Sequence, residues 1–170
     1  MAERSSSQPH VSVLLPVWNA AETLPACLHS IRRQAEPNWQ CVIVDDGSRD
    51  ASLAYAQRCA AADPRFEVIA TPHRGLVAAL NTGIEHCRGR YIARMDADDL
   101  MHRSRLAAQV QALETHPDVA AVGCHVRLFP RRHLRPGRRA YERWLNSIDS
   151  APRLCQEAWV ECPIAHPTLM

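Results

Sequence analysis

Three aspartates, Asp96, Asp98 and Asp99, follow a short apolar run, Tyr91-Ile92-Ala93. That is the pattern of a strand delivering carboxylates to its carboxyl end. Closely spaced carboxylates supply the oxygen ligands that a hard divalent cation takes. A cation held there can neutralise a diphosphate. The same aspartates also suit the opening of a helix, where acidic side chains meet the positive end of the dipole. On these residues alone both readings stand. Further side chains extend the first one. Trp18 offers a flat face for a base, Asp46 an acceptor for a base N–H, and Arg74 a charged fork for a phosphate oxygen. Together they specify a nucleotide diphosphate rather than a bare metal. Each also has an ordinary role open to it: Trp18 as a core aromatic, Asp45 and Asp46 as turn-formers with Gly47, and Arg74 as a solvated charge. His73 and His102 lie near the acidic edge but lack the spacing of metal ligands. His166, between Ala165 and Pro167, either faces the same edge or is structural.

The elements that must position these groups are legible as alternating runs. Val11 to Pro16, interrupted only by Ser12, and Cys41 to Val44 are compact apolar runs, as strands buried on both faces are. Phe66 to Ala70 and Tyr91 to Met95 are two further strands. Helical periodicity is expected from Asn19 or Glu22 to about Ala35, with Leu24, Leu28 and Ile31 on one face. It recurs over Ala51 to Ala62, capped by Ser48 or Asp50, over Gly75 to Cys87, and over Leu100 to His116. Val119 to Gly123 is expected as a fifth strand and His125 to Phe129 as a sixth. Arg138 to Ile148 and Pro152 to Val160 are expected to be helical. Strands alternating with helices mean βαβ units and a mostly parallel sheet. Ligands of such sheets bind outside the carboxyl ends of the strands. Here those ends carry PVWN (16–19), DDGSRD (45–50), the loop from Thr71 to Gly75, and Asp96 to Asp99.

Composition narrows the class. The chain has 170 residues, 46% of them hydrophobic, which suits one domain with a real core. A net charge of +2, from 20 basic and 18 acidic residues, gives no general pull toward nucleic acid. The local exception is the basic run from Arg131 to Arg143, either a solvated loop or a surface for phosphates or an acidic membrane face. Seven cysteines without a CxxC pair argue against a disulfide framework and a structural zinc site. They fit a reducing cytosol. No GxGxxG follows the first strand and no GxxxxGK[ST] occurs, so the common dinucleotide and P-loop modes are unsupported. Residues 1–10 are polar and are expected to be a disordered tail before a domain at 11–170.

The loops PVWN (16–19), DDGSRD (45–50), RGLVAALNTGI (74–84) and MDADD (95–99), in that order, resemble the inverting family-2 glycosyltransferases of the GT-A fold. The closing ECPIAHPTLM (161–170) is similar to a segment of bacterial members that build surface polysaccharides. The resemblance runs from Val11 to Met170. It implies an α/β, Rossmann-like nucleotide-diphospho-sugar transferase sandwich with a mostly parallel central sheet, incomplete at its C-terminus. It also implies roles by position. Pro16, Val17 and Trp18 match the loop that packs on the nucleobase, with Trp18 where the family more often has Tyr. Asp46 matches the residue that bonds the base, usually uracil, and Asp45 fixes the loop or the ribose. Arg74 matches a basic residue near the diphosphate. Asn81 and Gly83 match a helix segment under the donor, where packing alone would also explain them. Asp96, Ala97 and Asp98 match the DxD motif, with Asp98 touching the metal and Asp96 contacting ribose or metal.

The activity so implied is metal-dependent transfer of a sugar, with inversion, from a nucleotide diphosphate to an acceptor hydroxyl. The donor is expected to be a UDP-sugar held with Mn²⁺ or Mg²⁺, and the acceptor a saccharide or a lipid-linked one. The family's general base is an Asp or Glu in a later motif, so it is expected beyond Met170 and no catalytic residue is assigned within the chain. Two rival readings are a non-catalytic nucleotide-sugar-binding module and a sugar nucleotidyltransferase, although PVWN is not the Gly-rich signature of the latter. The expected location is cytoplasmic, with peripheral contact at the inner face of the membrane. The apolar end, Pro163 to Met170, is expected to favour self-association.

Overall fold

A computed structural model describes residues 8–170. Strands and helices alternate as β1 (Val11–Val17), α1 (Leu24–Arg32), β2 (Trp39–Asp46), α2 (Ser52–Ala62), β3 (Phe66–Thr71), α3 (Leu76–His86), β4 (Tyr91–Arg94) and α4 (Arg105–Thr115). The four strands form one all-parallel sheet in the order β3-β2-β1-β4. Every residue of β1 and β2 is buried, which explains why those two runs show no polar alternation, with Ser12, Gln40, Asp45 and Asp46 as their buried polar members.

The two faces carry different helices. Val11, Val13, Leu15 and Val17 of β1, with Cys41 and Ile43 of β2, meet Leu24, Cys27, Leu28 and Ile31 of α1 and Leu106 and Val110 of α4. The α1 residues recur at the i, i+3, i+4, i+7 spacing of one helix face. Ala56 brings α2 into the same core. On the other face Val42 and Val44 meet Ala79 of α3. Each of the buried Val, Leu and Ile side chains contributes about 1.5–3 kcal/mol by leaving water.

The path of the chain places a crevice. From β1 the chain steps outward through β2 to β3, with α1 and α2 on one face. It then returns through α3 on the other face and adds β4 beside β1. The direction of winding therefore reverses between β1 and β4. At such a switch point the loops leave opposite faces and open a crevice at the carboxyl ends.

Several expectations change. The last long helix starts at Arg105, not Leu100. Met101 N–H donates to Ser30 Oγ, Gln34 Nε2 donates to the His102 carbonyl, and Ala35 N–H donates to the Arg103 carbonyl. The end of α1 thus takes the backbone groups that would have begun the helix. Residues 119–123 and 125–129 form no strands. Val122 and Met170 exchange N–H···O bonds of 2.8 and 2.9 Å, but the neighbouring backbone turns to side chains. Asn146 bonds both backbone groups of Val126, and Glu142 accepts from Leu128 N–H. Glu142 and Asn146 belong to α5 (Pro136–Leu145) and its C-cap, and α6 (Ala151–Glu157) follows. Within the tail expected at 1–10, residues 1–7 lie outside the described residues. Residues 8–10 are tied in: Gln8 Nε2 donates to the Arg88 carbonyl, and His10 N–H to the Asn38 carbonyl.

Candidate functional site

The loops after β1 and β2 are laced together before any ligand is considered. Asn19 has a positive φ of 48°, which Asn tolerates better than most residues. In that pose its Oδ1 accepts from Arg49 N–H at 2.8 Å, while its own N–H donates to Ser48 Oγ at 3.0 Å. Ala20 N–H donates to Ser52 Oγ and Ala21 N–H to Asp50 Oδ2. Asp50 therefore ties the two loops besides turning the start of α2 through Ser52 N–H. The helix cap is Ala51, not Ser48 or Asp50. Asp45 holds the DDGS turn by accepting from Ser48 N–H at 2.8 Å, so of its two expected duties the loop-fixing one is seen.

A cavity of about 560 Å³ lies at the β1/β4 switch point, lined among others by Pro16, Trp18, Arg94, Asp96, Ala97 and Asp98. Its size is ordinary for a small-molecule site. The sheet supplies two of its walls directly, since Pro16 is the sixth residue of β1 and Arg94 the last of β4. Val17 is buried beneath them and packs in the core rather than lining the cavity. At the rim stands Leu76, the first residue of α3, half exposed.

The acidic cluster has internal order. Arg94 Nη2 lies 2.9 Å from Asp96 Oδ1, and the other amino group, Nη1, is buried without a partner. Burial pushes the Asp96 carboxyl up, and Asp98 adds to this against the pull of Arg94 and His166. Burial, then Asp98 and Asp96, push Asp99 up to about 6. Asp98 itself is exposed. No group of three or more His, Cys, Asp or Glu side chains among the described residues forms a ready metal cage. An exposed Asp98 beside Asp96 nevertheless fits magnesium or manganese. Such ions take one or two carboxylates and fill their remaining positions with substrate phosphate and water. Beyond burial, Asp98 adds to the rise of both Asp96 and Asp99, and that repulsion is what a cation would relieve.

Asp46, expected to bond a base, is engaged by the protein's own donors. Its carboxylate is buried, and Oδ1 accepts from Arg74 N–H while Oδ2 accepts from Gly75 N–H, both at 2.8 Å. His73 Nδ1 is a further 2.8 Å from Oδ2. Burial would raise this carboxyl, yet the Arg74 and Gly75 N–H groups and His73 together hold it below the usual range. The Arg74 side chain is exposed and stands outside the cavity wall, as does Asn81 on α3. Gly83 is a packing residue: a Cβ there would run into Leu14 and stand 3.0 Å from Val44 Cγ2.

The structure thus gathers Pro16, Trp18, Asp96, Ala97 and Asp98 around one cavity, sets Asp45 and Asp46 in its supporting loop, and leaves Arg74 and Asn81 apart. Three further residues have roles that sequence reasoning missed. Arg94 is visible in the sequence as a cation two positions before Asp96. Asn19 and Asp50 sit inside the two motifs, but their cross-loop bonds need the fold to appear.

Comparison with known proteins agrees with this geometry. A sequence profile described as "Glycosyl transferase family 2" matches residues 12–169. The chain is 37% identical over 126 residues to "Putative glycosyltransferase EpsE" of Bacillus subtilis (strain 168), covering 73% of this chain and 45% of that protein. It is also similar to the mannosyltransferase PcManGT from Pyrobaculum calidifontis, solved in complex with GDP-Man and Mn²⁺. That match has a TM-score of 0.65 and 33% identity, over 72% of this chain and 37% of the other. S. aureus TarS 1–349, in complex with UDP-GlcNAc, shares the fold with a TM-score of 0.66 at 19% identity, over 74% of this chain and 36% of that one. The chain therefore spans less than half the length of each.

Proposed function

Because the chain belongs to glycosyl transferase family 2 and carries the sheet of the GT-A fold, we propose that it forms the donor seat of an inverting, metal-dependent glycosyltransferase. The observation that carries this reading is the single cavity that brings the Trp18 ring together with Asp96 and Asp98 at the β1/β4 switch point. In this reading Trp18 stacks on the base of a nucleotide diphosphate-sugar. Asp98, with Asp96 held in place by Arg94, faces the diphosphate through Mn²⁺ or Mg²⁺. When bound, that ion offsets the charge growing on the leaving diphosphate. The acceptor hydroxyl attacks the anomeric carbon from the opposite side, which gives inversion in one displacement. A general base must take its proton, and this reading assigns that base to no residue of the chain.

The donor is a UDP-sugar by the habit of the family, and PcManGT with GDP-Man makes GDP the competing nucleotide. The acceptor is a saccharide or a lipid-linked one, met on the cytoplasmic side of the membrane. A calorimetric titration with UDP, GDP and inorganic phosphate, with and without Mn²⁺, tests the donor seat. UDP binding that needs Mn²⁺ and is lost in Asp98→Ala is the expected result. Trp18→Ala should weaken UDP by about 1–3 kcal/mol, the range for a base stacked on an aromatic ring. Binding of phosphate alone, indifferent to the base, would defeat the reading.

A further inference from the structure

This inference rests on the nucleotide reading and deepens it at the base. Asp46 is where the resemblance puts the base contact, yet its side chain is only 5% exposed and its oxygens are already engaged. What covers it is the His73 ring. That ring lies flat on Trp18, with centroids 4.6 Å apart and planes 15° from parallel. Its Nδ1 sits 2.8 Å from Asp46 Oδ2 and 3.0 Å from the Asp46 carbonyl oxygen. Both neighbours are acceptors, so Nδ1 carries a proton and donates. A planar nitrogen ring stacked on Trp18 and donating a ring N–H to Asp46 makes the two contacts that a pyrimidine base would make.

We propose that His73 occupies the nucleobase seat of the free chain and that a nucleotide binds by displacing it. A base on the opposite face of Trp18 would have the indole between itself and His73, the ring that lies beside Trp18 and reaches Asp46 Oδ2. The His73 backbone is pressed against Gly47, where a Cβ would stand 2.7 Å from His73 N. Gly47 has a φ of +71°, which a side chain rarely adopts. The backbone of the loop therefore stays, and the half-exposed ring leaves by rotation of its side chain. Once it has gone, Asp46 Oδ2 loses one of its donors and regains the capacity to accept from a base N–H. The loop remains held by Arg74 and Gly75 N–H.

A seat that must be vacated lowers apparent affinity by the fraction of chains in which it is closed. His73→Ala should therefore bind UDP, in Mn²⁺, about 3–10-fold more tightly than the unaltered chain, on the scale of one lost ring-on-ring contact. Equal or weaker binding by His73→Ala would overturn the inference, since a histidine that merely lines the seat would help the base when present. The second measurement is the proton NMR spectrum of His73, assigned by its disappearance in His73→Ala. Its ring signals should lie upfield in the free chain, under the Trp18 ring, and return to ordinary positions at saturating UDP with Mg²⁺, the diamagnetic ion of the pair. Signals that stay upfield in the complex overturn the inference alone. If neither chain binds UDP or GDP, the nucleotide reading itself falls, and the inference with it.

Discussion

Asp46 and Asp98 both stand at the carboxyl ends of parallel strands, and their surroundings separate them. Asp46 is buried and saturated with donors, while Asp98 is exposed beside an acidic neighbour. Only the second is ready to meet a cation. Asp63, at the C-cap of α2, shows what a carboxylate held by donors does for stability. It accepts from Arg65 N–H, Nε and Nη2 at 2.9–3.1 Å and faces Arg32 at 3.7 Å. The same Arg65 lies over the Trp39 ring, 3.9 Å from its centroid. The Arg65 side chain, against some burial, holds the Asp63 carboxyl below its ordinary range. A carboxyl lowered by folding stabilises the fold above its unfolded value of about 3.9, and that contribution fades as pH falls through the folded value. Asp63→Asn should therefore cost about 1 kcal/mol at neutral pH. The gap between variant and parent should be constant above about pH 5 and narrow as pH falls below the unfolded value of about 3.9. Urea denaturation across that pH range measures it, and an unchanged gap would mean that the charge of Asp63 contributes nothing.

At the scale of elements, α3 is the part whose glycine decides its position. An alanine in place of a glycine inside a helix normally stabilises it by about 0.8–1 kcal/mol. At position 83 the added methyl would meet Leu14 and Val44, which belong to the two central strands. Overpacking of that kind costs about 1–3 kcal/mol. The clash should win, so Gly83→Ala is expected to lower the melting temperature, where a stabilising result would show that α3 lifts off the sheet freely. This helix also shows what is legible in the residues. Its span, and those of β1 and β2, follow from runs of apolar side chains that need only near neighbours to be understood. The order of the loops around the cavity follows as well, because parallel strands must end on one edge. What escapes is set by partners distant in sequence. The loop 100–104 reads as helical until the end of α1 takes its backbone groups. Residues 125–129 read as a strand until Asn146 and Glu142 take the backbone groups of Val126 and Leu128. His73 reads as a histidine near acids, and its place over Asp46 depends on a stack with a ring 55 positions away.

Over the whole molecule these differences divide the chain into two tiers. Strands β1 and β2 are buried along their full length and paired on both sides. The part after α4 is tied to the rest by few of these bonds. Arg94 N–H of β4 donates to the Leu169 carbonyl at 2.8 Å and Gln109 Nε2 of α4 donates to the Val122 and Thr168 carbonyls, while Val122 and Met170 exchange two bonds within the part itself. Gln109 is buried, so its amide is a staple with no water to replace its partners. Local opening should follow this division, because regions with few buried contacts open at lower free energy than the core. Removing Leu169 and Met170 deletes the partners of Arg94 and Val122 and takes one side chain, Met170, from the edge of the core, while every ladder bond of β1 and β2 stays in place. Hydrogen exchange of that shortened chain should show the Arg94 and Val122 amides exchanging about tenfold faster, the scale of one hydrogen bond. Amides of Val13, Leu15, Val42 and Val44 should be unchanged. If the central amides speed up in step with Val122, the two tiers are a single cooperative unit. In that case Asp96 and Asp98, which follow directly on Arg94, owe their positions to the 119–170 region as much as to the sheet.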